Sequence, residues 1–151
     1  MPRITIRTAS PEDLDAVMSI WRAADVTRRR PAGPQRTAHV RQKLATGEVV
    51  LLAHYGERPA GMALAETFLD DGSPDPSTGH VSMVFVDPAV WGSGVGTRLV
   101  RDLQTRWPRL SVWTRTDNRR AQRLYLSAGF VDSGNRSTLQ DGEEIMQLLW
   151  G

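Results

Sequence analysis

The chain has 151 residues, 40% of them hydrophobic and 24% charged, a composition that predicts one compact soluble domain over residues 1–151. It contains no cysteine, which excludes disulfides, thiolate metal sites and a cysteine nucleophile. Its three histidines, His39, His54 and His80, lack the spacing of a metal-binding helix, so we expect no metal site.

The formal net charge is only +2. Lys43 is the single lysine among the 19 basic residues, and the others are arginines. The arginines are spread from Arg3 to Arg136, and we interpret the run at residues 28–30 as the solvated end of a loop rather than a phosphate clamp. We therefore expect no nucleic-acid partner. No apolar stretch reaches the ~20 residues that a membrane span needs, so we expect no membrane partner and a cytoplasmic location.

Along the first half of the chain, residues 3–7 alternate between polar and apolar side chains and predict a strand. Ser10 and Pro11 then provide the N-cap and first-turn signals of a helix that runs to about residues 25–27. A weaker helix is predicted over residues 35–46 after a loop rich in proline and glycine.

From Glu48 the hydrophobic pattern changes from a helical period to the short runs that are typical of strands. Residues 49–53 and 60–68 predict a hairpin around a turn at residues 56–58. Residues 69–79 contain acidic residues and prolines without periodicity, and they are predicted to be a loop. Residues 80–86 predict the next strand.

The second half predicts a helix, a strand, another helix and a closing hairpin, over residues 94–107, 110–114, 118–128, and 130–138 with 143–150. Gly129 ends the second of these helices, and Asp141-Gly142 is a signal for a two-residue turn in the hairpin. The resulting order of elements predicts an α/β (α+β) fold with a mixed sheet packed by helices.

The main local feature is a strand that passes through a glycine-rich turn into a helix, at residues 86–97. Glycine allows a sharp bend, and the first helical turn offers backbone N–H groups that have no partner within the helix, so this segment predicts an anion site. A Walker loop is excluded because Thr97 and Arg98, rather than Lys and Ser or Thr, follow Gly96. A dinucleotide fingerprint is also incomplete, because Thr97 occupies its third glycine position.

Two motifs resemble those of the GCN5-related N-acetyltransferases, the GNAT family. Gly94-Val95-Gly96 is similar to the family's pyrophosphate signature, although Trp91 stands where the family usually has Gln or Arg. The family's second motif, Asn-x-x-Ala-x-x-x-Tyr-x-x-x-Gly-Phe, is matched at all its defined positions, which are Asn118, Ala121, Tyr125, Gly129 and Phe130. The resemblance implies a mixed central sheet with helices on both faces and splayed fourth and fifth strands. It also implies transfer of an acetyl group from acetyl-CoA to an amine.

The resemblance further implies which residues bind acetyl-CoA. Backbone groups of Val84 and Val86 would pair with the pantetheine amides as an added strand does. Asn118 would cap its helix and contact the neighbourhood of the pantetheine. The pyrophosphate would lie on the turn and first helical residues Trp91, Gly92, Ser93, Gly94, Val95, Gly96 and Thr97.

Acetyl transfer also needs an acid, an oxyanion donor and a base. The motif makes Tyr125 the candidate acid for the departing thiolate, and a backbone N–H of the strand at residues 80–86 is the expected oxyanion donor. Two bases stay open. Glu66 lies on an otherwise apolar strand face, where burial would raise its pKa toward a useful range, and His80 is the second candidate.

Without cysteine, an acetyl-cysteine intermediate is excluded, so we expect direct attack by a primary amine of a small molecule or peptide in a ternary complex. Asp70, Asp71 and Asp75 would suit a cationic acceptor. Two alternatives stay open: a non-catalytic module that senses acetyl-CoA, and an acyltransferase that uses a longer acyl-CoA. Many members of the family pair as homodimers, so a homodimer is a further expectation.

Overall fold

A computed structural model describes residues 2–28 and 30–151. Arg29 is outside this range, so the interpretation of residues 28–30 stays a prediction. The described residues form seven strands and four helices in the predicted order: β1 (Ile4–Thr8), α1 (Leu14–Asp25), α2 (Pro34–Thr46), β2 (Val49–Tyr55), β3 (Arg58–Asp70), β4 (Ser73–Val86), α3 (Val95–Gln104), β5 (Arg109–Arg115), α4 (Arg119–Ser127), β6 (Val131–Thr138) and β7 (Glu144–Trp150).

The strands form a mixed sheet in the order β1-β2-β3-β4-β5-β7-β6. The β1–β2, β2–β3, β5–β7 and β6–β7 pairs are antiparallel, whereas β4 and β5 are parallel. The parallel register joins residues 78–81 to residues 109–112, and both strands continue beyond these pairs, to Val86 and to Arg115. The predicted fold class is confirmed.

The chain divides into two compact units, one of Met1–Ala65 with Met83–Leu99 and one of Glu66–Ser82 with Val100–Gly151. The prediction of a single domain therefore stays a prediction.

In the first unit, helices cover both faces of β3. Met62 and Leu64 pack with buried residues of α1 and α2, which include Trp21 and Leu44. Gly61 faces the other way, where a Cβ atom would lie 2.6 Å from Cγ1 of Val95 at the start of α3. Gly61 therefore allows α3 to approach this face closely.

The expected loop at residues 69–79 is wrong, because this segment completes a hairpin. β3 extends to Asp70 and β4 begins at Ser73, so Asp71 and Gly72 alone connect them. Both residues have positive φ, 51° and 82°, as a two-residue turn of the I′ type requires. Since Asp and Gly adopt this conformation readily, the turn outweighs the prolines and the missing alternation in the flanking residues.

The closing hairpin also differs from its prediction. The backbone N–H of Leu139 donates to the carbonyl of Glu143 at 2.8 Å, and Gly142 has a φ of 86°. These contacts close a three-residue loop with glycine in its last position rather than a two-residue turn, as is common in hairpins of this length. Helix α3 is shorter than predicted, since it ends at Gln104.

Candidate active site

Hydrogen bonds to β3 and to the following turn fix the end of β4. The backbone N–H of Asp87 donates to the carbonyl of Ala60 on β3 at 2.8 Å. The Asp87 carboxylate accepts a hydrogen bond from the Ala89 N–H at 2.9 Å and forms an ion pair with Arg58 at 2.6 Å. The Ala89 N–H and, to a lesser degree, Arg58 lower the pKa of this carboxylate. The strand end that carries Val84 and Val86 is therefore held in place before any ligand binds.

The peptide group between Val86 and Asp87 has a defined direction. In a trans peptide the N–H and C=O groups point in opposite directions. Since the Asp87 N–H points to β3, the Val86 carbonyl points away from β3, toward the opposite edge of β4. An added strand or a ligand amide would pair with a carbonyl of this kind.

The turn that follows is shaped as an anion cradle. Gly92 and Gly94 have φ angles of 83° and 94°, and a Cβ atom at Gly92 would meet no atom within 4 Å. The Ser93 hydroxyl oxygen is buried, and no residue in the described part of the chain hydrogen-bonds to it. The backbone N–H of Arg98 donates to the Gly94 carbonyl at 3.1 Å, as the start of α3 requires.

These features fit a diphosphate. The N–H groups of residues 95–97 precede Arg98 in the first turn of α3, where backbone donors have no partner within the helix. Such donors bind phosphate well, and the buried Ser93 hydroxyl adds a side-chain donor beside them. Arg98 is exposed and lines a groove of about 680 Å³ with residues 2–6.

Trp91 is turned toward β4. Its indole Nε1–H donates to the Val86 carbonyl at 2.9 Å, and 37% of the residue is exposed. Trp91, one of the candidate cofactor-binding residues, thus hydrogen-bonds through its side chain to the strand expected to bind pantetheine.

Helix α4 begins and ends as its motif predicts. The Asn118 side-chain oxygen accepts a hydrogen bond from the Ala121 N–H at 3.1 Å and so caps the helix. Gly129 ends it with a φ of 96°. The capping role of Asn118 is confirmed, whereas its contact with the pantetheine stays a prediction.

Tyr125 lies on the buried face of α4 and is only 5% exposed. Its ring packs against Phe130, with 5.3 Å between the ring centroids. Burial raises the pKa of the Tyr125 phenol, because water no longer solvates the phenolate. The hydroxyl is therefore protonated at neutral pH, as a proton donor must be.

The two candidate bases lie on the two strands of one hairpin. His80 on β4 packs against Phe68 on β3, with ring centroids 6.4 Å apart. Because side chains alternate along a strand, Glu66 shares the face of Phe68. Glu66 and His80 are both half-buried. Glu66 and His80 thus lie on neighbouring strands, and the Phe68 ring contacts the imidazole of His80.

A polar row beside His80 was not predicted. Ser111 on β5 is in register with His80 and accepts a hydrogen bond from the Gln147 side-chain amide at 3.1 Å. Ser133 and Asn135 donate to the Gln147 side-chain oxygen at 3.0 and 2.8 Å. Ser111 and Gln147 are 1% and 8% exposed. Single polar residues within apolar strand runs were the sequence signal for this row.

The acidic residues expected to face the acceptor differ in their surroundings. Asp75 accepts hydrogen bonds from Ser77 and Thr78, and the Ser77 hydroxyl contributes most to lowering the pKa of this carboxylate. Asp70 and Asp71 are exposed at the tip of the β3–β4 hairpin. The Asp75 carboxylate is therefore engaged by residues 77 and 78 of its own strand. Asp70 and Asp71 stay candidates for attracting a cationic acceptor.

The predicted site residues fall into two groups. The cofactor-binding candidates other than Asn118 lie in the first unit, and Asn118 lies in the second unit with Tyr125, Glu66 and His80. Over residues 2–28 and 30–151, no three His, Asp or Glu side chains cluster as metal ligands would. Within the same residues, no helix combines the length and apolar character of a membrane span.

Comparisons with known proteins agree with this geometry. The model of the acetyltransferase (GNAT) family matches residues 14–130. The peptidyl-lysine N-acetyltransferase YjaB of Escherichia coli K12 is 28% identical over 150 residues, which are 97% of this chain and 94% of YjaB.

Two solved structures have the same fold. A GNAT-family acetyltransferase of Bacillus cereus has a TM-score of 0.76 at 17% identity, covering 98% of this chain and 96% of that one. The yncA protein of Salmonella typhimurium, solved with its cofactor acetyl-CoA, has a TM-score of 0.72 at 21% identity, covering 97% and 92%. The chain therefore belongs to the GNAT family of acetyltransferases, and the predicted resemblance is confirmed.

Proposed function

We propose that this protein transfers an acetyl group from acetyl-CoA to a primary amine of a small molecule or peptide, by direct attack in a ternary complex. The observation that carries the proposal is the backbone at residues 86–97. There, a strand carbonyl points away from β3 and a positive-φ glycine turn opens a helix. The diphosphate and the pantetheine amides of acetyl-CoA need these two kinds of group.

In this proposal Val84 and Val86 pair with the pantetheine through their backbone groups. The N–H groups of Gly92 and of residues 94–97 hold the diphosphate together with the Ser93 hydroxyl, whereas the Ser93 N–H is engaged with the Val90 carbonyl at 3.2 Å. A backbone N–H of residues 80–86 donates to the oxygen that becomes negative during transfer. When bound, acetyl-CoA supplies an activated acetyl carbon and a thiolate leaving group.

Two side chains move protons in this proposal, a base and an acid. A primary ammonium has a pKa of about 10.4, so it must lose a proton before its nitrogen can attack. Glu66 takes that proton in our proposal, with His80 as the second candidate. The amine nitrogen forms a bond to the acetyl carbon, the carbon–sulfur bond breaks, and Tyr125 gives its proton to the departing sulfur. The nitrogen then loses its second proton, which passes through solvent to the Tyr125 phenolate and restores the acid. A phenol is protonated at neutral pH, so Tyr125 holds a proton to give at the start of each cycle.

The acceptor is proposed by class only. YjaB acts on peptidyl lysine, as its name states, and a lysine side chain is a cationic primary amine. Exposed Asp70 and Asp71 would attract such an acceptor. The proposed setting is the cytoplasm, and a homodimer is the proposed form.

The test combines the protein with acetyl-CoA and a panel of amines: a lysine-containing peptide, a polyamine and an aminoglycoside. Free thiol release and the mass of the product are measured. We expect acetylated amine, free CoA and no acetylated enzyme. Binding of acetyl-CoA without transfer to any amine would instead favour a sensor module, and faster transfer from a longer acyl-CoA would favour the third alternative.

A further inference from the structure

The contact between Trp91 and Val86 joins the two parts of the proposed cofactor site. Trp91 follows the 3-10 turn Pro88–Val90 and precedes Gly92, and its indole folds back over the end of β4. The hydrogen bond from Nε1 to the Val86 carbonyl is 2.9 Å long, the ordinary length for an N–H···O bond.

The acceptor of this bond is the carbonyl that the cofactor would need. The Asp87 N–H of the same peptide group is bound to Ala60 on β3, so the Val86 oxygen points to the other edge of β4. In the proposed function, a pantetheine amide N–H pairs with this edge. The indole N–H and the pantetheine N–H therefore have the same acceptor.

A carbonyl oxygen can accept two hydrogen bonds, but the two donors here also need the same space. The indole is a large, rigid ring system, and it reaches Val86 from the turn on which the diphosphate would lie. A positive-φ glycine at position 92 adjoins Trp91, so the backbone beside the side chain is of the permissive kind.

We propose that Trp91 competes with the pantetheine arm: its indole N–H donates to the Val86 carbonyl in the free protein and gives up that carbonyl when acetyl-CoA binds. This inference rests on the proposed function and adds a residue that sets its affinity for the cofactor. The hydrogen bond from the indole holds the strand end in the free protein. Because this bond must break before the pantetheine can pair with Val86, it weakens cofactor binding by its own net strength.

The test uses Trp91→Phe, which keeps an aromatic ring and removes the N–H donor. Two ligands are titrated by calorimetry: coenzyme A, and 3′,5′-ADP, which has no pantetheine. We expect coenzyme A to bind about threefold to tenfold more tightly to the variant, the range that one net hydrogen bond covers. The affinity for 3′,5′-ADP should not change. Trp150→Phe, at the end of β7, is the matched control and should change neither affinity.

A second measurement follows the indole N–H resonance of the wild-type protein, so it does not depend on how tightly a variant binds. The Trp91 indole N–H resonance, assigned by its loss in Trp91→Phe, should move upfield when coenzyme A is added to the wild-type protein and stay in place with 3′,5′-ADP.

Equal or weaker binding of coenzyme A by Trp91→Phe would overturn the inference, as would a gain of the same size for 3′,5′-ADP. An indole resonance that does not respond to coenzyme A would also overturn it. If the wild-type protein binds neither ligand, the proposed function itself fails.

Discussion

The segment from β4 into α3 and the region around α4 present different kinds of chemical group. At residues 84–97 the important groups belong to the backbone: the Val86 carbonyl, the glycine turn and the first N–H groups of α3. On α4, β3 and β4 the groups with proposed roles are side chains, namely Tyr125, Glu66 and His80. A site made of backbone groups tolerates a new side chain, such as Trp91 in place of Gln or Arg, but it depends on φ angles. A site made of side chains depends on single atoms.

The largest effect should come from the side-chain region. Glu66→Gln removes the proposed base while keeping the size of the side chain, and we expect kcat/KM to fall about 100-fold at neutral pH, as for loss of a general base. The matched variant is His80→Gln, for which we expect a smaller loss. Steady-state rates with a fixed amine measure both. A larger loss in His80→Gln would transfer the role of base to His80.

The backbone region should respond to a single methyl group. Gly92→Ala places a Cβ on a residue with a φ of 83°, where no neighbouring atom lies within 4 Å. The side chain fits, so only the backbone conformation is penalised. The free turn relieves part of this strain by changing its conformation, and binding must restore the original one. A strain of about 2 kcal/mol therefore predicts a loss of acetyl-CoA affinity of up to about thirtyfold, measured by calorimetry.

Gly134 on β6 provides the control for this change. It has a φ of 88° and equally open surroundings, so Gly134→Ala carries the same backbone strain. Both variants should melt at a lower temperature than the wild type, and only Gly92→Ala should lose affinity for acetyl-CoA. Equal losses of affinity would mean that strain anywhere in the chain weakens binding, and the special role of the turn would be lost.

A smaller effect is expected at Tyr125. The thiolate of CoA is already a fair leaving group, with a thiol pKa of about 8.5, so an acid helps only modestly. Tyr125→Phe keeps the packing against Phe130 and should lower kcat about tenfold, with little change in KM for acetyl-CoA. Tyr55→Phe, which changes the other tyrosine of the chain, is the control and should leave kcat unchanged. Full activity in Tyr125→Phe would remove the proposed acid.

The raised pKa of Tyr125 also predicts a pH dependence of stability. The ordinary phenol has a pKa of about 10, so above that pH the unfolded chain loses this proton while the folded chain still holds it. The contribution of Tyr125 to the free energy of unfolding is fully present below about pH 10 and declines as the pH rises further. Denaturant unfolding between pH 9 and pH 11 should show a decline that is smaller in Tyr125→Phe. The same decline in both proteins would contradict the burial of an un-ionised phenol.

The smallest effect should be at the hairpin tip. Asp70→Asn with Asp71→Asn neutralises two exposed carboxylates, and Asn tolerates the positive φ of residue 71. We expect KM for a cationic amine to rise about threefold at low salt, as exposed charges are worth little, and to rise less at high salt. A weakly basic amine, largely uncharged at the assay pH, is the control. An unchanged KM for the cationic amine would remove the support for a cationic acceptor.

The start and the end of helix α4 were predicted correctly because they depend on local signals. Asn118 caps α4 and Gly129 ends it, and both are features that neighbouring residues decide. The two Asp-Gly pairs show the limit of such signals. Asp141-Gly142 was predicted to form a two-residue turn and lies in a three-residue loop, whereas Asp71-Gly72 forms the two-residue turn within a segment predicted to be a loop. The partner strand selects the loop length, and a single sequence does not contain that information.

The candidate site shows the same limit. The row of Ser111 and Gln147 depends on the register between strands, which brings together residues 36 positions apart. The bond from Trp91 to Val86 depends on the side-chain conformation at one turn. Residue types led to the chemistry that we propose for the site, whereas its hydrogen-bond partners became known only from the structure.

The most direct test of this account is a 15N–1H correlation spectrum of the protein, titrated with acetyl-CoA. It reports on each backbone N–H separately, and the central claim is that backbone groups hold the cofactor. We predict that the largest amide shifts fall within residues 92–97, and that an equal amount of 3′,5′-ADP gives smaller shifts there because it lacks the diphosphate linkage to pantetheine. Largest shifts outside residues 84–97, with the amides of the turn unmoved, would contradict the account.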